Sequence, residues 1–264
     1  MDETIILSGA LEDPRPQEQK DLDHTHDDYL AGSTTTPNWA DKTFTAFPRR
    51  YQSISGSCGP QAFAKALESF TGVSHSANPL YSRRTNFPSY GMYEQDLCDI
   101  AKNKGTCLEQ LSPSQGMTDE QMNEAKFPIE TPYRIKNYYI IPSMEQLNMD
   151  LLAMALEQGQ ALLLRVKSTG AEWQSVPVAD PNSTNFFYHF VTCVAKNYGL
   201  YNGEKALCID DSANAFSTID GKGQRILTES FMKQRVLGIR GIVPNETYKD
   251  PLKFEEFINV LKTQ

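Results

Sequence analysis

The stretch Gln52-Ser53-Ile54-Ser55-Gly56-Ser57-Cys58-Gly59-Pro60 places a thiol directly before a segment whose apolar residues recur at helical spacing. A cysteine there meets the positive end of the helix dipole and amide hydrogens that no helical carbonyl accepts. Both favour the thiolate, the form that attacks a carbonyl carbon. Pro60 sits in the first turn, where a missing amide costs little. Gly56 lets the chain turn tightly and leaves room for a substrate. Gln52, six residues upstream, brings a neutral amide donor suited to an oxyanion. The bland alternative is a buried structural thiol, the usual fate of a free cysteine, and the flanking glycines and Gln52 weigh against it.

A thiolate nucleophile needs a base. Of four histidines, His24 and His26 stand among aspartates near the N-terminus and His75 lies in a polar stretch. His189 is set in Phe186-Phe187-Tyr188-His189-Phe190-Val191-Thr192, an apolar run that reads as a buried strand, where an imidazole requires a defined partner. The next strand, Lys205 to Ser212, ends in Asp210 and Asp211. A carboxylate there fixes the tautomer and orientation of a catalytic imidazole. Asp210 and Asp211 point to opposite faces of a strand, so the choice between them turns on register.

The elements that carry these groups follow from periodicity. Helices are expected over Gly59–Phe70, with Gly72 as the left-handed stop, and over Tyr93–Asn103, ended by Gly105. A third is expected from a Ser143/Gln146 capping box to Leu156. Strands are expected over Tyr133–Ile141, Ala161–Val166, Phe187–Ala195, Ala206–Asp210 and Leu237–Val243. A closing amphipathic helix follows Asp250-Pro251. Helices first and strands later make an α+β protein with segregated lobes. The expected division is an acidic arm over 1–36, read as a flexible tail or a segment that orders only against a partner, a helical lobe with the nucleophile over 37–125, a β-rich lobe with His189 and the carboxylate over 126–243, and the amphipathic helix over 244–264.

The formal charge of −8 on 264 residues argues against a nucleic-acid binder. No apolar run approaches the roughly 20 residues of a membrane span. Five cysteines without C-x-x-C spacing suggest neither a zinc site nor a disulfide framework, and a reducing compartment fits best. His24 and His26, only two residues apart in the arm, are not read as a metal site. No cofactor or metal is expected. The acidic N-terminus lacks the pattern of a secretory leader, so the expected location is the cytoplasm or an assembly such as a virion.

Taken together, these residues resemble the papain-like (C1) cysteine peptidases. Gln52-x5-Cys58 with Gly56-Ser57 before the thiol resembles that family's active-site start. Pro37-Asn38-Trp39-Ala40-Asp41 resembles its mature-domain start. Gly91-Met92-Tyr93 resembles its substrate-pairing glycine and adjoining pocket wall. Tyr188-His189-Phe190-Val191 resembles its histidine strand, and Ile209-Asp210-Asp211-Ser212 its Asn-Ser-Trp turn. The Cys58-to-His189 interval, 189 − 58 = 131 residues, falls within the roughly 130–150 of the family. The chain departs from the pattern at Ser55, in place of a disulfide cysteine, at Gly59, in place of a tryptophan, and at Ala213, in place of the tryptophan that shields the triad. Cys-Gly-Pro also resembles C39-type peptidases, whose Cys-to-His interval is shorter.

The resemblance implies a two-lobe papain-like fold and peptide-bond hydrolysis by a Cys58 thiolate and His189. Aligning Ser212 makes Asp211 the orienting residue, with Gln52 and the Cys58 amide as oxyanion donors. Gly56 and Gly91 would hold the backbone of a polypeptide substrate, with Met92 and Tyr93 lining an apolar pocket. The arm is shorter than the family's inhibitory prodomain and lacks its helical charge pattern, so regulation by prodomain cleavage is not expected. Two other readings stay open. One is a catalytically weak papain-fold component of a larger assembly, such as a phage particle or injection apparatus, held through the arm or the terminal helix. The other is a peptidoglycan amidase or peptidase.

Overall fold

The structure, a computed structural model, describes residues 9–20, 23–30, 36–40, 44, 48–141, 147–173, 186–213 and 223–249. In chain order the elements are β1 (Ala10–Leu11), α1 (Gln17–Lys20), α2 (Asp27–Leu30), α3 (Cys58–Thr71), α4 (Asn78–Tyr81), β2 (Met92–Tyr93), α5 (Glu94–Asn103) and α6 (Asp119–Glu124). Then follow β3 (Asn137–Ile141), α7 (Met149–Glu157), β4 (Ala161–Ser168), α8 (Gly170–Trp173), β5 (Phe187–Cys193), β6 (Tyr198–Tyr201), β7 (Glu204–Asp210), β8 (Gln224–Thr228), α9 (Glu229–Arg235) and β9 (Val236–Val243).

The helical lobe is built on α3 and α5. Helix α3 starts at Cys58 and ends at Gly72, whose φ of +73° is the left-handed conformation that glycine adopts without strain. Its inner face carries Phe63, Ala66 and Leu67, which pack with Leu97, Ile100 and Ala101 of α5. The second lobe is an antiparallel sheet in the order β3-β9-β4-β5-β7-β6, with β8 also paired to β7. Side chains alternate along β4. Leu162, Leu164 and Val166 enter the core of the sheet lobe, while Ala161 and Leu163 face the helices. Phe190 of β5 carries the sheet into the helical lobe's core, so the two lobes meet along β4 and β5.

Three expectations need correction. The first strand begins at Asn137 rather than Tyr133, because Tyr133 instead bridges to Thr106. Helix α7 begins at Met149, where the Asn148 side chain accepts the Asp150 amide; Ser143 and Gln146 lie outside the described residues. The arm is not a tail awaiting a partner. Its strand β1 pairs with β2, the His24 carbonyl accepts the Ile140 amide, Leu30 is buried in the sheet-lobe core, and Tyr29 stacks on Tyr139 at 4.9 Å. The expected terminal helix lies outside the described residues apart from a single 3-10 turn at Glu246–Lys249. Among the described residues no helix is long and apolar enough to cross a membrane.

Candidate active site

Cys58 is the first residue of α3 and is fully buried. The Ser57 side chain does not cap the helix. Its hydroxyl lies 2.6 Å from that of Ser55, which in turn donates to the Gln52 carbonyl at 2.7 Å. The first amides of α3 therefore carry no side-chain cap and keep the positive end of the helix at the thiol. Ser55, at the position of a disulfide cysteine in the resembled family, thus holds the turn by hydrogen bonds. Gly59 replaces that family's tryptophan for a packing reason. A Cβ added there would stand 2.9 Å from Leu97 Cδ2 and 3.0 Å from Phe190 Cδ2.

Gln52 is buried and oriented from both ends. Its Nε2 donates to the Ser55 carbonyl at 3.2 Å, its Oε1 accepts the Ser212 hydroxyl at 2.6 Å, and its backbone amide donates to the Ser212 carbonyl at 3.0 Å. One Nε2 hydrogen remains beyond the bond to Ser55. The loop before Cys58 and the loop after β7 are thereby tied together across the lobes.

His189, opposite Val166 in the β4–β5 ladder, is fully buried. Its Nε2 stands 2.8 Å from Asp211 Oδ1. Nε2 is spent on Asp211, and Nδ1 is buried with no hydrogen-bond partner among the described residues, while the Cys58 thiol acts on the ring as a neighbouring group. Burial disfavours the imidazolium, but the charge and hydrogen bond of Asp211, with the Cys58 contact, outweigh it and raise the His189 pKa to about 9.

Asp211 is also fully hydrogen-bonded. Oδ1 accepts the Ala213 amide at 2.8 Å, and Oδ2 accepts Trp173 Nε1 at 2.8 Å and Arg225 Nε at 2.7 Å. Burial pushes this carboxyl up. His189, Arg225 and the Ala213 amide together hold it well below the usual carboxylate range. Two of these partners were not singled out from the sequence. Trp173 stands edge-on to the His189 ring at 6.0 Å, so an aromatic shield reaches the triad from α8 although Ala213 occupies the expected tryptophan position. Arg225, from β8, is buried beside the carboxylate and also bonds the Trp173 carbonyl. A carboxylate neutralised by a guanidinium presents to His189 roughly the net charge of the neutral asparagine that the resembled family carries.

Asp210 lies elsewhere. Its carboxyl senses Lys65 and Glu68 of α3, and its Oδ2 has no hydrogen-bond partner among the described residues. Burial raises its pKa to about 7, with Lys65 opposing and Glu68 and Asp211 adding to the rise. The folded state therefore holds a proton that the unfolded chain releases near the ordinary carboxylate pKa. The stability contributed by this neutral form is lost as pH rises through about 7. Asp210→Asn is expected to raise the unfolding free energy by about 1–3 kcal/mol at roughly pH 8 and to change it little at roughly pH 4. Denaturant unfolding at both values checks this, and an equal change at both would contradict it.

The two glycines expected to bind substrate lie side by side. Gly56 and Gly91 are packed so closely that a Cβ on Gly56 would lie 2.5 Å from the Gly91 amide nitrogen. Asp119 accepts the Gly56 amide at 3.0 Å and the Tyr81 hydroxyl at 2.5 Å, and the Tyr81 hydroxyl accepts the Gly91 amide at 3.1 Å. Asn86 Nδ2 donates to the Gly91 carbonyl at 3.2 Å. Both backbone groups of Gly91 are therefore engaged within the lobe, and the donor facing the cleft is the Met92 amide. The Met92 side chain is buried in the core of the helical lobe, and Tyr93 is half-buried.

The chain's own arm lies in this cleft. The Met92 amide donates to the Gly9 carbonyl at 2.9 Å, and β1 pairs in parallel with β2, Ala10 opposite Met92 and Leu11 opposite Tyr93. Gly9 crosses directly over the thiol. A Cβ there would stand 2.8 Å from Cys58 Sγ and 2.5 Å from the Gly56 carbonyl oxygen.

No protein-family description matches the sequence, and no curated protein matches it at the level of sequence. Solved structures do. Xylellain, a cysteine protease from Xylella fastidiosa, superposes with a TM-score of 0.63 at 17% identity over 91% of this chain and 97% of its own. Procathepsin L2 from the larval midgut of Tenebrio molitor gives 0.60 at 16% identity over 90% and 74%. The proform of the ragweed pollen cysteine protease Amb a 11 gives 0.55 at 18% identity over 82% and 68%. The fold is papain-like, with a helical N-terminal lobe carrying the cysteine and an antiparallel lobe carrying the histidine.

Proposed function

We propose that the chain is a cysteine-type peptidase, latent while its arm lies over the thiol. The observation that carries this reading is the fully buried line from Cys58 at the start of α3, through His189, to Asp211 at 2.8 Å from its Nε2. That papain-like solved structures are themselves cysteine proteases supports it.

In the proposed reaction the Cys58 thiolate attacks the carbonyl carbon of a polypeptide while the protonated His189 stands beside it. The oxyanion is met by the Cys58 amide and the remaining Nε2 hydrogen of Gln52. Collapse of the tetrahedral intermediate breaks the carbon–nitrogen bond, and the His189 Nδ1 proton passes to the leaving amine. The neutral imidazole then takes a proton from water, whose oxygen attacks the thioester and releases the carboxylic acid and the thiolate. Asp211 keeps Nε2–H bonded throughout. Its own charge is balanced by Arg225, so the imidazolium is held but not trapped. The aromatic shield whose absence favoured a catalytically weak assembly component is supplied here by Trp173, which supports the enzymatic reading over that one.

The test is digestion of an unfolded protein by the full chain carrying Gly9→Leu, which the arm's close passage over Cys58 makes an open form. New peptide termini in mass spectra, absent when Cys58→Ala is added, are expected. No cleavage by the Cys58-containing form contradicts the proposal.

A further inference from the structure

Beyond β2, the cleft opens into a pocket of about 180 Å³ between the start of α5 and strands β4 and β9. The sheet and α5 line it with Glu94, Arg165, Gly238 and Arg240, and the arm lines it with Glu12 and Asp13. The pocket adjoins the β1–β2 pairing: Glu94 follows directly on the Met92-Tyr93 strand that holds the arm, and Glu12 follows directly on β1.

The three charged side chains on the sheet and α5 are almost wholly buried, with side-chain exposures of 4% for Glu94, 11% for Arg165 and 7% for Arg240. Arg240 Nε lies 3.2 Å from Glu94 Oε1, and Arg165 Nε lies 3.7 Å from Glu94 Oε2. Neither contact has hydrogen-bond geometry, and both Nε atoms and Glu94 Oε1 lack a hydrogen-bond partner among the described residues. One carboxylate thus serves two guanidiniums, which leaves one positive charge in excess and buried donors unmatched. Buried unmatched donors of this kind call for an acceptor, and a guanidinium is matched best by a carboxylate.

Two acids of the arm, Glu12 and Asp13, also line the pocket, and Asp13 is itself paired with Arg15. Glu12 and Asp13 follow directly on β1, whose two residues pair with Met92 and Tyr93. The remaining charged lining residue, Lys20, also belongs to the arm. When the arm leaves, both acids and the lysine leave with it, and Glu94, Arg165 and Arg240 remain.

We infer that this pocket is a specificity site for an acidic side chain of a polypeptide lying along Met92–Tyr93, read by Arg165 and Arg240 and now lined as well by the acidic arm. The inference rests on the peptidase reading for its substrate, but binding tests it without turnover. A basic side chain is refused because Glu94 is already committed to two arginines. A neutral one leaves the donors unmatched. Gly238 keeps the space open, since a Cβ there would crowd Glu94 Oε2 at 3.0 Å.

The experiment uses the full chain with Gly9→Leu to lift the arm and Cys58→Ala to stop turnover. Fluorescently labelled hexa-alanine peptides, with Glu, Gln, Leu or Lys walked through each position, are titrated by polarisation. One position is expected to favour Glu over Gln by about tenfold or more, the worth of a charge-assisted hydrogen bond. Arg240→Gln should bring that ratio close to one. Glu94→Gln, which frees both guanidiniums without changing shape, should raise it further, whereas a merely structural trio would weaken all peptides alike. A peptide set in which no position favours Glu, or one that favours Lys, overturns the proposal. If the Glu peptide binds as expected but the Cys58-containing form never cleaves it, the pocket stands and the peptidase reading falls.

Discussion

Replacing His189 by alanine in the arm-lifted Gly9→Leu chain is expected to slow peptide hydrolysis by about 10³- to 10⁴-fold, and Cys58→Ala should leave no measurable turnover. The size of the first effect follows from the two tasks that fall to one ring. In the proposed reaction His189 holds the thiolate as an ion pair and supplies the proton to the leaving amine. The fold should survive the loss. Asp211 would keep Trp173 Nε1, Arg225 and the Ala213 amide as partners, so no carboxylate is stranded. Adding His189→Ala to Cys58→Ala should cost nothing further, because groups that act as one unit are not additive. Steady-state rates on a fluorogenic peptide, with circular dichroism to verify folding, check this. A His189→Ala chain within a few-fold of its parent would remove the ring from the mechanism.

The second large effect runs the other way. Gly9→Leu alone is expected to raise kcat/KM of the full chain by about 10- to 100-fold, acting through KM and leaving kcat nearly unchanged. In the proposed latent form substrate and arm would compete for the same site, so apparent affinity would fall in proportion to the fraction of open molecules. Gly9 is the lever because no side chain fits there. The atoms that a Cβ would meet are the Gly56 carbonyl, which is backbone, and the Cys58 sulfur at the base of a helix, and neither can move aside cheaply. The docked arm has other anchors, among them the His24 carbonyl that accepts the Ile140 amide and Tyr29 stacked on Tyr139, so a substitution at any one of them, remote from Cys58, should matter far less. Initial rates across a substrate range separate the two parameters. An unchanged KM would mean that the arm does not cover the cleft in solution.

How much of this was readable in the sequence depends on how local each feature is. Cys58 at a helix start, Gly72 as its stop and His189 in an apolar strand are decided by neighbours in the chain, and all three stand where expected. The choice of Asp211 over Asp210 was a question of strand register, and the ladder turns Asp211 toward His189 and Asp210 toward α3. Trp173 and Arg225 were missed because their roles depend on contacts across 38 and 14 residues of sequence, between elements that no local pattern links. The β6–β7 hairpin carried a signal that was overlooked. Asn202-Gly203, both at positive φ, is the preferred pair for a two-residue turn between strands. The arm misled for a different reason. Its acids read as the composition of an unbound tail, but Asp13 and Asp23 share Arg15 within the arm, and the arm lies against the lobes.

The central claim is that Cys58 and His189 form a thiolate–imidazolium pair, and labelling of Cys58 by iodoacetamide across pH tests it most directly. The other four cysteines are buried within the lobes, so peptide mass spectrometry can follow Cys58 in the Gly9→Leu chain. With His189 present, labelling should be fast at about pH 6 and vary little across the neutral range, since the His189 pKa is raised to about 9. In His189→Ala the rate should fall and rise again only toward the ordinary thiol pKa of roughly 8.5. Identical profiles in the two chains, both following an ordinary thiol, would contradict the pair and with it the proposed nucleophile.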